Sequence, residues 1–333
     1  MDRSHSFQTY FFDLIKSKIP GHHSLVDEIA EVLNVSNDSA YRRIRGEKIL
    51  DLNEVARLCT RYQLSIDAIL NLSSNGVHFQ YNSVDHDNFH YYSYLQYVFD
   101  QLELLNRFEH KQLFFAAKDI PFFHYFQFPE LTYFKSYFWL KMILEYPEYE
   151  EKQFYLQDAP KEIILPSQKI WRAYMNTPSI EIWSNETINV TLRQIEYCWE
   201  CGLFKEQNEA VLLCELMRKM LKHIQKQAGL GNKYHFGSEA TGEGDQFKLY
   251  YNEVTISDNT IFFKMDDQQL TYITHNLFNI LSTSHPGFCQ HTYQHIQQIL
   301  RKSTLISEVS EKERKVFFKK MRHKIDDLIS RIE

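Results

Sequence analysis

Apolar positions in the first seventy residues recur at helical spacing, in short runs broken by capping residues. Phe7, Tyr10, Phe11, Leu14 and Ile15 mark a first amphipathic helix, closed by Pro20-Gly21. Ser24, with Asp27 three residues on, starts a second helix that buries Leu25, Ile29, Ala30 and Leu33. A turn at Asn34-Val35 follows, and Ser36 caps a third helix that runs to Gly46. Asp51 caps a fourth, with Glu54 at the third helical position and Leu50 and Val55 placed as a hydrophobic staple. Ser65 opens a fifth helix carrying Ile66, Ile69 and Leu70.

Ser73-Ser74-Asn75-Gly76 interrupts this pattern, so a domain boundary is expected at residue 75, with a polar linker over 76–88. From Phe89 the periodicity is again helical. Helices are expected to start near Phe89, Lys111, Leu131, Ser167, Asn185 and Lys205, separated by Pro121, Pro129, Pro147, Pro160, Pro166 and Pro178. Five glycines fall within 229–244 and predict a mobile connector. Alternation over Phe247–Ile256, turn residues at 257–260 and an apolar run at 261–265 predict one β-hairpin near 247–265. Helices then resume near Asp267, with a break at Pro286-Gly287. The expected fold is mainly α: a five-helix domain over 1–75 and a large α-helical domain over 89–333 with that single hairpin.

Composition narrows this little. Twenty-five Phe and 21 Tyr demand burial and argue against a largely disordered chain. Ten Gly and 8 Pro in 333 residues favour helices over an all-β fold. Five cysteines, an odd and sparse set, read as reduced thiols. The opening Met1-Asp2-Arg3-Ser4-His5 lacks a signal peptide's apolar stretch, and Tyr137–Leu144 is too short to span a membrane. The expectation is a cytoplasmic protein that meets no membrane.

The segment Leu25–Ile69 resembles the phage-repressor-type helix-turn-helix family of transcriptional regulators. Leu25 to Ser36 matches the first motif helix and turn, Asn37 to Lys48 the recognition helix and its exit, and Asp51 to Ile69 the closing helices. Asn34 stands where the family usually has Gly, and Asn tolerates positive φ next best. The family buries an aliphatic residue at the positions of Ala40 and Arg43; here Ala40 and Ile44 are expected as the inward pair. The resemblance implies sequence-specific binding of double-stranded DNA, as a homodimer. A recognition helix offers its N-terminal part to the major groove. Asn37, Ser39 and Tyr41 are therefore candidates at the bases; Asp38 belongs to the same DNA-facing set, awkward beside phosphate but welcome in a first helical turn. Arg42, Arg43, Arg45 and Lys48 are candidates for guanine or phosphate. Net charge is −6, and residues 1–75 carry nine Lys and Arg against ten Asp and Glu. Yet Arg42–Lys48 holds four basic residues and one acid, a local basic face of the kind DNA needs.

Other signals are weaker. Cys198-Trp199-Glu200-Cys201 has no second ligand pair at zinc spacing. Cys289, His291 and His295 cluster, and the two histidines, four apart, share one helix face but flank no Glu. Gly229-Leu230-Gly231 follows a helix, not the strand a dinucleotide turn requires. No metal, cofactor or catalytic constellation is expected. Phe318, Met321, Ile325, Leu328 and Ile332 form a short heptad seam, read as core packing with dimerisation as the alternative. The C-terminal domain is expected to dimerise and to sense a small-molecule or peptide effector. The competing readings are an interaction scaffold whose small domain binds protein, and an enzyme in 89–333.

Overall fold

The computed structural model describes residues 7–19, 24–62, 64–66, 69, 76–81, 91–240, 244–254, 256–275 and 279–333. Its contacts divide the chain into two units, 1–78 and 79–333. Pro20-Gly21, the linker from residue 82 on and most of the expected fifth helix lie outside the described residues.

The first unit holds α1 (Phe7–Lys18), α2 (Leu25–Leu33), α3 (Asn37–Ile44) and α4 (Leu52–Tyr62). Phe11, Phe12, Ile15, Ile29, Leu33, Ala40 and Leu58 form its core. The caps act as their residue types dictate. Ser24 and Ser36 accept from the amides of Asp27 and Ser39, satisfying orphan donors at the starts of α2 and α3. Asp51 Oδ1 accepts from Glu54 N at 2.8 Å, and Glu54 Oε2 accepts from Asp51 N at 3.3 Å, a reciprocal capping box. Asn34 ends α2 with φ 55°, and its amide reaches the carbonyls of Ala30 and Glu31. Gly46 leaves α3 with φ 76°.

The second unit corrects the expected fold class. It is α/β, not mainly α with one hairpin, and it is built on an eight-stranded mixed sheet. The strands are β1 (Gln80–Tyr81), β2 (Lys111–Ala117), β3 (Ser179–Trp183), β4 (Phe247–Tyr251), β5 (Thr260–Met265), β6 (Gln268–His275), β7 (Asn279–Thr283) and β8 (Thr304–Leu305). Their order is β1-β7-β6-β5-β2-β3-β4-β8. β2, β3 and β4 run parallel, and every other pairing is antiparallel.

The helices are α5 (Tyr91–Asn106), α6 (Pro129–Met142), α7 (Lys161–Met175), α8 (Asn189–Glu200), α9 (Glu209–Leu230), α10 (Pro286–Arg301) and α11 (Glu311–Ile332). The parallel strands need crossovers. α6 and α7 connect β2 to β3, and α8 and α9 connect β3 to β4. β2 shows how the layers form: Leu113, Phe115 and Ala117 enter a large core shared with α5–α9 and α11, while Phe114 and Ala116 face the opposite side. There they meet Cys289 and Ile296 of α10.

Three sequence expectations fail because of this sheet: the helix near Lys111, the single hairpin and the helix from Asp267. The chain near Lys111, expected to begin a helix, is β2. Its run Lys-Gln-Leu-Phe-Phe-Ala-Ala is buried on both faces, so it lacks the alternation of a half-exposed strand. The expected hairpin partners β4 and β5 lie in one sheet but are separated by β2 and β3. β5 instead forms a hairpin with β6, closed by Asp266-Asp267 with Asp266 at φ 48°, and β6 pairs antiparallel in turn with β7. The helix expected from Asp267 is β6, whose Thr and Ile residues suit a pleated surface. Pro166 lies within α7 and does not break it. Gly229 is inside α9, and Gly231, at φ 63°, caps that helix. The seam of α11 packs into the unit's own core through Phe318, Met321, Ile325 and Leu328.

Candidate nucleic-acid interface

In the first unit, α3 and the turn after it carry all eight predicted site residues, and the structure separates them into two groups. Asn37, Asp38, Tyr41, Arg42, Arg45 and Lys48 are exposed. Residues 37, 41 and 45 follow one another at four-residue intervals along the helix and its exit, with Asp38 and Arg42 on the flank. Asn37 Nδ2 donates to Asp27 Oδ1 at 2.8 Å, which ties the start of α3 to α2. The Arg45 guanidinium lies 5.5 Å from the centre of the Tyr41 ring. Glu47 pairs with Arg45 at 3.4 Å and with Arg42 at 4.0 Å. All three side chains are about half exposed, so these pairs contribute little and exchange readily for an external anion.

Arg43 and Ser39 behave differently. Arg43 is 3% exposed and belongs to the core. Its Nε and Nη2 donate to the two oxygens of Glu54, at 3.1 and 2.5 Å, and its Nη1 donates to Ser39 O at 3.0 Å and to Ser39 Oγ. Arg43 is therefore not a groove contact. With Ala40 it takes the inward position expected of Ile44, which is only half-buried. An arginine is tolerated there because Glu54 cancels its charge and fills its fork. Those hydrogen bonds hold the Glu54 carboxyl below the ordinary value. Sequence reasoning assigned Glu54 only a capping role. The second signal was an Arg at a position that had to be buried, which requires an acid within reach.

Gln8 of α1 was also missed. Its amide nitrogen donates to the carbonyls of Arg43 and Lys48, each at 2.7 Å, and its oxygen accepts from Leu50 N at 3.0 Å. One side chain thus clamps the exit of α3, where Arg45 and Lys48 sit. The exposed basic face stands on a fixed backbone.

The second unit buries its own ionic group. His124 Nε2 lies 2.9 Å from Glu181 Oε1, Tyr174 OH donates to the same oxygen, and Trp183 Nε1 donates to Glu181 Oε2 at 2.8 Å. Lys233 Nζ donates to Ser179 Oγ at 2.6 Å and stands 4.2 Å from the centre of the Tyr174 ring. Burial pushes the Lys233 ammonium down to about 7. Burial also opposes ionisation of Glu181, but His124, Tyr174 and Lys233 outweigh it and hold that carboxyl below its ordinary value. His124, Tyr174 and Glu181 are wholly enclosed, which makes the group part of the core rather than a surface for chemistry.

The remaining sequence signals are dispersed. Cys198 is buried, with burial pushing its thiol up to about 12, while Cys201 is exposed. His291 and His295 are both exposed, whereas Cys289 is buried. No cluster of His, Cys, Asp and Glu among the described residues has the form of a metal site. Among the described residues no helix is long and apolar enough to cross a membrane. Comparison with protein-family models, with curated proteins and with solved structures gave no match.

Proposed function

We propose that the chain is a sequence-specific regulator of transcription that binds duplex DNA through α3 and the turn that follows it. The observation that carries this reading is the exposed, basic face of Tyr41, Arg42, Arg45 and Lys48, held in place from behind by Gln8 and by the Arg43–Glu54 pair. Arg42 and Arg45 supply planar forks suited to guanine or phosphate, and Asn37 at the helix start reads base edges. Ser39 and Arg43 support the helix from inside. The protein acts in the cytoplasm, in keeping with five free cysteines. It binds as a homodimer on two half-sites about 34–36 Å apart, the second unit providing the dimer contact and the effector response.

The test is fluorescence anisotropy with labelled duplex DNA across a salt series, comparing the wild-type chain with Arg42→Ala and Arg45→Ala. Weaker binding with a shallower salt dependence in both variants supports the reading. Unchanged DNA affinity in both removes it and favours a protein-binding role for the same face.

A further inference from the structure

Beyond the end of β2 the second unit has an open cleft on its helical face. It lies between β2, β5 and β7 of the sheet and α5, α6 and α8 above them, and it encloses about 120 Å³. Here the parallel set β2–β3–β4 gives way to antiparallel β5. Open α/β sheets bind ligands beyond the carboxyl ends of parallel strands, where the connectivity changes.

The walls are apolar and aromatic, including Tyr94, Phe122, Trp139 and Ile143. An apolar cavity of about 150 Å³ holds one benzene, so at about 120 Å³ this open cleft takes at most a single ring that projects partly from its mouth, or a short branched chain.

The polar groups at the cleft have a fixed sense. Lys135 Nζ gives its three protons to Asp119 Oδ2 at 2.9 Å, Thr191 Oγ1 at 3.1 Å and Gln194 Oε1 at 2.9 Å. The other Asp119 oxygen accepts from Ile120 N at 2.8 Å and from Thr191 Oγ1 at 3.3 Å. Asp119 is thereby neutralised, with both oxygens engaged. Asn259 Oδ1 accepts from the amides of Lys118 and Asp119, at 2.8 and 3.3 Å. The oxygens of Gln194 and Asn259 are engaged, which leaves the NH₂ groups of these two cleft-lining residues as their donors. Lys118 is exposed and lines the cleft, and it forms no ion pair among the described residues.

We infer that this cleft binds a small carboxylate with a one-ring or short apolar body: the carboxylate meets Gln194 Nε2, Asn259 Nδ2 and the Lys118 ammonium, and the body lies against Trp139 and Ile143. Two amide donors and one unpaired cation match a planar anion with two acceptor oxygens. A cation of the same size meets Lys118 and no free acceptor of Asp119. Such a site supplies the effector response within the proposed regulator, but its existence does not depend on DNA binding.

The experiment is isothermal titration of the full chain, without DNA, using benzoate, benzyl alcohol and benzylamine. One-site, saturable binding of benzoate, at least tenfold tighter than benzyl alcohol and with no binding of benzylamine, is expected. Lys118→Glu, at an exposed position, weakens benzoate at least fivefold and leaves benzyl alcohol unchanged. Ile143→Trp, which fills the cavity, abolishes both, with circular dichroism confirming the fold; if that variant misfolds, Lys118→Glu carries the test. Equal affinity for benzoate and benzyl alcohol, preference for benzylamine, or no saturable binding by any of the three overturns the inference. None of these results bears on duplex binding, which is measured separately.

Discussion

Arg43 of α3 and Glu54 of α4 form a two-pronged ion pair, Nη2 to Oε1 at 2.5 Å and Nε to Oε2 at 3.1 Å, with 3% and 6% of the two residues exposed. Removing one partner strands the other charge in the core. Arg43→Ala is expected to destabilise the first unit by about 3 kcal/mol. Replacing both residues with apolar ones of similar volume, Arg43→Met with Glu54→Leu, recovers much of that loss. Hydrogen exchange of the amides in α2–α4 of the full chain measures both effects. The Glu54 carboxyl is held below its ordinary value, so the pair's contribution is full above the unfolded pKa. It disappears as pH falls through the folded value.

The left-handed turn after α2 gives a smaller and local effect. Asn34 sits at φ 55°, where a Cβ without a helpful polar group is strained. Asn34→Ala is expected to cost about 1 kcal/mol and Asn34→Gly to be close to neutral. The same exchange experiment ranks them.

These two positions also show what the sequence made legible. The first unit declares itself locally: each cap, turn and apolar position acts within a few residues of where it stands, so Ser24, Asn34, Ser36, Gly46, Asp51 and Glu54 read correctly one by one. The inward role of Arg43 was hidden because it depends on Glu54, eleven residues away and on another helix. The sheet of the second unit was hidden for a related reason. β2 and β3 are buried on both faces, and β2 takes partners as distant as residues 179–183 and 260–265, so neither strand carries a diagnostic period of its own. The cleft beyond β2 is a product of that topology. Lys118, Gln194 and Asn259 have no shared motif until the sheet brings them together.

His223 of α9 makes the stability of the second unit depend on pH. The residue is 5% exposed, its ring packed against Tyr234 and Phe236, and burial pushes its pKa down to about 4. The unfolded imidazole keeps a value near 6.5. Between those two values the unfolded chain binds a proton that the folded chain does not. Stability therefore falls as pH drops from 6.5 toward 4, by at most about 3 kcal/mol from this group. Urea unfolding followed by tryptophan fluorescence at a series of pH values checks this, and His223→Gln is expected to flatten the curve over that window.

The exposed and buried arginines of α3 separate binding from folding. Arg42→Ala and Arg45→Ala are each expected to leave the thermal unfolding profile within about 0.5 kcal/mol of the original, since both lie on the surface. Where the lost contact is to phosphate, each reduces the slope of log affinity against log salt by about 0.9. Arg43→Ala instead lowers DNA affinity only in proportion to the folded first unit lost. Anisotropy and hydrogen exchange on the same samples distinguish the two patterns.

Selection of the full-length protein against a random duplex pool tests whether the face of α3 reads duplex DNA. Enrichment of one sequence made of two related half-sites is expected, with centres about one helical turn, roughly 10–10.5 base pairs, apart. Failure of any sequence to enrich at low salt, with circular dichroism showing the protein folded, contradicts it.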